Sequence, residues 1–219
     1  MKRLISRITE ILKGKKGCLF MFLFVISASF LCADFKIMGG VNLSRYRVSP
    51  DDSSIDWNYK PGFLGGIGFE KKFNHNILLE FDILYFQKGS REEHAGMSDS
   101  EMNDSDWNFR LDVLSIPVFL RFRFLDHSSP YVLGGIEFSG ILSHTKKKKE
   151  EEAIDLEETT QRIDYGLVFG CGYEIEIQEY LFFFVEARYH LGQANITISV
   201  VENEWKKTNS ILIVVGMRS

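Results

Sequence analysis

Eight stretches of this chain alternate apolar residues with charged, polar or glycine residues at a period of two. Successive side chains of a strand face opposite sides, so each stretch predicts a strand with one apolar face. The stretches are 35–47, 62–73, 77–89, 109–124, 131–143, 163–176, 180–191 and 208–218. In LEFDILYFQKGS (79–90), Leu79, Phe81, Ile83 and Tyr85 share one face, and Glu80, Asp82 and Lys88 lie on the other. After the N-terminal segment no helical period competes. There is also no apolar run of the roughly 20 residues that a membrane helix needs. The open question is whether the apolar faces form an interior or meet lipid.

The faces opposite the apolar ones discriminate. They hold Lys36, Glu70, Lys72, Glu80, Asp82, Lys88, Arg121, Arg123, Glu137, Asp164, Glu174, Glu176, Glu186, Arg188, His190 and Arg218. Acids and bases nearly balance, and many glycines are interspersed among them. A solvated surface needs neither feature. A narrow interior needs both, because enclosed charges must pair and small residues make room. The connections also alternate. Long ones are expected near 48–61, 90–108, 144–162 and 192–207, and short ones near 74–76, 125–130 and 177–179. Four long and three short connections are the pattern of an eight-stranded up-and-down barrel in an outer membrane, with both termini on the periplasmic side. Tyr85, Trp107, Phe109, Tyr165 and Tyr189 are expected at the outer rim. Phe73, Phe124, Tyr173 and Tyr180 are expected at the inner rim, as paired aromatic girdles.

The chain opens MKRLISRITEILKGKKGCLFMFLFVISASFLCAD. A basic stretch, an apolar run from Cys18 to Leu31 and small residues before Asp34 predict a signal peptide, residues 1–33, ahead of a barrel domain, 34–219. An uncleaved anchor is the alternative reading. A lipoprotein signal at Cys32 is disfavoured by bulky Leu31. Of 26 basic and 30 acidic residues, residues 1–33 hold six and one, which leaves 20 and 29, or −9. That balance argues against a nucleic-acid partner, since such binding rests on basic surfaces. Cys171 is the only cysteine beyond the N-terminal segment, so no disulfide or cysteine metal site is expected within the barrel.

Eight pieces in order resemble the PorT-like outer-membrane β-barrel family: GGVNLSRY (39–46), PGFLGGIGFE (61–70), LEFDILYFQKGS (79–90), LDVLSIPVFLRFRF (111–124), PYVLGGIEFSG (130–140), DYGLVFGCGYEIE (164–176), VEARYHLG (185–192) and SILIVVGMRS (210–219). The resemblance implies a single eight-stranded barrel in the bacterial outer membrane. Its partners would be outer-membrane lipid and the insertion machinery. Such barrels usually end in an aromatic residue that this machinery reads, whereas this chain ends Met217-Arg218-Ser219.

The candidate site is a charge network in the lumen, formed by Glu80, Asp82, Arg121, Arg123, Glu137, Glu174, Glu186 and Arg188, with a structural role. Eight strands leave an interior just wide enough for side chains, so an open diffusion pore is not expected. Glu186, Arg188 and His190 on one strand face could alternatively serve an active site or an ion path. His190 with Asp164 is the one pair proposed for a catalytic outer rim. His75, His94, His127, His144 and His190 show no metal-ligand spacing, and nothing calls for a cofactor. In the third long connection, KKKKEEEAIDLEE (146–158) is expected to be solvated, with Lys–Glu spacing suited to a short helix. The second, REEHAGMSDSEMNDSD (91–106), is acidic but lacks an EF-hand pattern. The function expected is a membrane-anchored scaffold whose outer loops engage an extracellular or envelope protein. The alternatives are an outer-rim enzyme, a narrow channel and a soluble lipocalin-like binder.

Overall fold

The computed structural model describes residues 34–49, 55–94, 107–126, 128–147, 154–156, 160–197 and 205–219. The expected signal peptide, Cys18, Cys32, His127 and the centres of the long connections lie outside these residues. The strands are β1 (Asp34–Ser49), β2 (Ile55–Lys72), β3 (Ile77–His94), β4 (Trp107–Arg123), β5 (Ser129–Lys147), β6 (Ile154–Asp155), β7 (Ile163–Gln178), β8 (Leu181–Gly192) and β9 (Trp205–Arg218). Neighbours follow chain order, all resolved pairings are antiparallel, and β9 returns to β1 from Lys36↔Arg218 to Ser49↔Trp205. Eight of the strands close an up-and-down barrel. β6 is a two-residue appendage paired to Thr145 and Lys146 of β5. Closure leaves no sheet edge to pair with another chain.

The apolar faces point outward. Phe35, Ile37, Val41 and Leu43 of β1 are exposed, as are Leu114, Ile116, Leu120 and Phe122 of β4 and Ile211, Ile213, Val215 and Met217 of β9. On β3, Leu79, Phe81, Ile83 and Tyr85 face out, while Leu78, Glu80, Asp82 and Leu84 are buried. The band runs from Phe35 to Leu43 on β1, Ile77 to Tyr85 on β3 and Val132 to Leu142 on β5. That is the length a tilted strand needs to cross hydrocarbon, about 9–11 residues. A soluble binder with an apolar interior would have the opposite arrangement. Cys171 lies on the outward face of β7 and is exposed.

Three differences from the sequence expectation have physical causes. First, the ladders continue past the band. β1 reaches Ser49, β2 starts at Ile55, β3 reaches His94 and β5 reaches Lys147, all inside the expected long connections. Apolar alternation stops where lipid stops, but backbone hydrogen bonding does not. Second, the KKKK stretch holds no helix among its described residues: Lys146 and Lys147 end β5, and Ile154–Asp155 is a strand. Third, Phe109 leaves the expected outer girdle. It is 7% exposed and packs inside the mouth, with Trp107 against the same cluster. The odd residues of β4 all face inward, so parity already placed Phe109 there. A bulge at Asp112/Val113, where Leu142 of β5 has no partner, then reverses the faces of β5. His144, two residues further on, is buried.

Short turns close the other end. β7 and β8 are joined through Glu179–Tyr180, with Tyr180 at φ 65°. A two-residue hairpin requires positive φ to match the strand twist, and here a tyrosine bears that strain.

Candidate functional site: the charged lumen and its outer mouth

Inward parity brings charged side chains from seven strands to one place, where they are buried. Arg121 of β4 is at its centre. Its Nη1 lies 3.1 Å from Glu70 and 3.5 Å from Glu174, and its Nη2 lies 3.0 Å from Glu80 and 2.9 Å from Glu186. The four carboxylates come from β2, β3, β7 and β8. Glu70 and Glu80 are cross-strand partners, a like-charge pairing that would destabilise the sheet without a shared cation. The Arg121 guanidinium also stacks over Tyr131 of β5 at 4.1 Å, and the Tyr131 hydroxyl donates to Glu186 at 2.8 Å.

Four more cations surround it. Arg188 contacts Asp82 at 3.0 Å, Glu80 at 3.3 Å and Glu186 at 2.5 Å, over the Phe119 ring. Lys36 pairs with Glu80, and with Asp82 at 2.9 Å. Arg218 lies 2.9 Å from both Glu70 and Glu174. Arg123 lies 3.2 Å from Glu174 and donates to the Asp126 carbonyl at the short-turn end. Five cations thus meet five carboxylates. Guanidinium forks suit this task, because their fixed donors satisfy several carboxylates at once.

A second, smaller group lies apart. Lys88 reaches Glu137 at 3.4 Å and Asp164 at 3.2 Å, and His190 Nε2 lies 3.3 Å from Glu137. Ser139 donates to Glu137, and Thr208 donates to Asp164. Of the eight residues expected in one network, Glu80, Asp82, Arg121, Arg123, Glu174, Glu186 and Arg188 meet in the first group. Glu137 belongs to the second. His190 partners Glu137 rather than Asp164, so the rim pair considered for catalysis is not assembled. Lys36, Glu70 and Arg218 complete the network but were not singled out for it, although their strand parity already faced them inward.

Apolar side chains fill what the charges leave. Met38, Leu64, Leu84, Phe86, Leu111, Val113, Phe184, Leu212 and Val214 form one cluster, and Phe119, Tyr131, Leu133 and Val168 form another. Gly135 and Gly40 permit the tight wall. A Cβ on Gly135 would run into the Val118 carbonyl oxygen, and one on Gly40 into that of Ile213.

At the long-connection end, Tyr46, Phe109 and Ile196 are buried together, with Trp57 and Trp107 packed against them. A hydrogen-bond chain fixes this mouth. Thr160 donates to the Leu156 carbonyl at 2.7 Å, so its oxygen accepts from His144 Nδ1 at 2.6 Å. His144 Nε2 is then the acceptor for the Tyr46 hydroxyl at 3.1 Å. His144 lies beyond the last outward apolar residue of β5, Leu142. Burial, with the Lys206 ammonium adding to it, pushes its imidazole down to about 4. It is therefore neutral at pH 7, as the chain of donors requires.

Comparison with known proteins follows the same lines. A family model described as "Outer membrane protein beta-barrel domain" matches residues 32–197. No curated protein matches significantly. Among solved structures, the outer membrane protein OprG from Pseudomonas aeruginosa is similar at 13% identity and a TM-score of 0.52, covering 85% of this chain and 94% of that one. Neisserial surface protein A gives 14% identity and a TM-score of 0.46, covering 84% and 95%. Ail of Yersinia pestis gives 15% and 0.38, covering 85% and 99%. The likeness in fold rests on OprG.

Proposed function

The chain belongs to the outer membrane protein beta-barrel domain family, and from that premise we propose that it is a closed, membrane-anchored scaffold rather than a pore or an enzyme. Its long connections face outward and engage an extracellular or envelope protein, and both termini face the periplasm. The finer affinity is with PorT-like barrels, supported by the ordered segments from GGVNLSRY to SILIVVGMRS. Outer-membrane lipid covers the apolar band, and the insertion machinery delivers the barrel to it.

One observation carries this reading: Arg121 and its four carboxylates span the lumen, with apolar clusters packed around them. A conducting pore needs a continuous wet path, and eight strands provide no spare width. Planar-bilayer recording of the purified protein tests it. No regular current steps are expected. Steps that change size in Arg121→Gln or Arg188→Gln would instead make the protein a narrow channel. Protease treatment of intact cells tests the other half. Binding of the envelope partner is expected to disappear while the barrel remains in the membrane.

A further inference from the structure

Three aromatic rings at the barrel mouth form a triangle. The Tyr46 and Trp57 centroids are 5.6 Å apart, Tyr46 and Phe109 5.7 Å, and Trp57 and Phe109 5.6 Å. The rings are tilted to one another by 53°, 62° and 50°, so they do not stack into a column but wall a corner. One ammonium lies over all three. Lys206 Nζ is 4.5 Å from the Trp57 centroid, 4.9 Å from Phe109 and 5.1 Å from Tyr46. Ring faces carry negative electrostatic potential and hold cations within about 6 Å. Three such faces converging on one point make a cation receptor, whatever cation fills it.

Two of the rings are held in place, and the main chain of their occupant is held without its side chain. Tyr46 is 2% exposed, and its hydroxyl is fixed by His144, which is fixed in turn by Thr160. Phe109 is buried beside it. Trp57 and Lys206 are the half-buried members, so the corner opens on their side. The backbone of Lys206 is held independently: its N–H donates to Asn195 Oδ1 at 2.9 Å, and its carbonyl accepts from Ile196 at 2.8 Å. The side chain can therefore swing away without breaking any main-chain bond. Burial lowers the basicity of the Lys206 amine. A primary ammonium also forfeits hydration among aromatic rings. A quaternary ammonium has no N–H groups to satisfy, so it suits this corner better.

We propose that Tyr46, Trp57 and Phe109 form a binding site for a ligand bearing a quaternary ammonium group, which enters by displacing the Lys206 side chain. This goes beyond the scaffold reading and does not depend on which protein the loops engage.

The test uses the full-length mature protein folded in maltoside micelles, with Trp107→Phe and Trp205→Phe so that Trp57 alone reports. Tetramethylammonium chloride is titrated against sodium chloride at matched ionic strength. A saturable change in Trp57 emission is expected. In Lys206→Gln it should occur at a concentration roughly tenfold or more lower, because the tethered competitor is gone. In Phe109→Leu it should be lost. Heat-dependent gel mobility identifies the folded protein in every variant. Two outcomes overturn the proposal. With no saturable change in either the reporter protein or Lys206→Gln, the corner is no receptor. With a change in Lys206→Gln alone, Lys206 is a fixed plug and the native protein takes no such ligand.

Discussion

Arg121 shows how much one side chain can hold in place. Replacing it with methionine would leave Glu70, Glu80, Glu174 and Glu186 facing one another without their shared cation. Breaking a buried pair by removing one partner costs about 3–5 kcal/mol. Arg121→Met should therefore lower the urea midpoint of the folded barrel far more than Arg110→Met, whose exposed guanidinium pairs with Asp112 at 3.0 Å on the outer surface. Equal midpoints for the two variants would remove Arg121 from the centre of the network. His144 gives a pH dependence of definite sign. Its folded value, about 4, lies below the unfolded value near 6.5, so the unfolded state binds the extra proton between them. Stability of the mouth should be level above pH 6.5 and fall as pH drops towards 4, since protonated Nε2 can no longer accept from Tyr46. The neighbours that face it are Lys206 and Asp155, of which the first opposes protonation and the second favours it. Trp57 emission followed against pH should show this transition, and His144→Gln should flatten it.

At the scale of the strand, the decisive feature is the bulge opposite Asp112/Val113. Were the alternation to run through Leu142 without the bulge, everything from Ser143 to Lys147 would turn to the other face. Deleting Leu142 should instead leave regular pairing, with residue 144 still opposite Leu111 and facing inward. A cysteine placed there, His144→Cys, should resist a membrane-impermeant maleimide in the full-length chain and in the deletion alike, as mass spectrometry would show. Reaction in the deletion would place the extra residue elsewhere. The glycines set a second limit. Gly135→Val should reduce the fraction that folds in detergent, because its side chain would meet the Val118 carbonyl of the adjoining strand. Sequence patterning made the faces of Leu79, Phe81 and Ile83 legible, since lipid on one side and paired charge on the other leave a two-residue rhythm. It did not reveal the bulge, which is a single residue without a compositional mark. Nor did it reveal where the ladders end, because main-chain hydrogen bonding needs no apolar side chain. The pairing of His190 with Glu137 rather than Asp164 depends on the stagger between strands, which no single strand's pattern encodes.

For the whole molecule, closure and filling belong together. Every barrel strand is hydrogen-bonded on both sides, and the lumen is packed with paired charges and apolar clusters. A closed ring with all backbone groups satisfied resists detergent until heated. The unboiled protein should migrate apart from the boiled one and sediment with the outer membrane. A soluble protein with no heat shift would reverse inside and outside.

The Arg121 network also constrains how the barrel comes together. Its carboxylates lie on β2, β3, β7 and β8, and Lys36 of β1 sits in register with Arg218 of β9, so the ends of the chain must meet before the charges are all matched. A half-built sheet would hold unpaired carboxylates and guanidinium groups at membrane depth, where each is heavily penalised. A sheet slipped by one residue would turn the same groups into lipid. The charges thus act on registration: the native pairing matches each lumenal cation with a carboxylate, and a slipped one carries the cost of turning them into lipid.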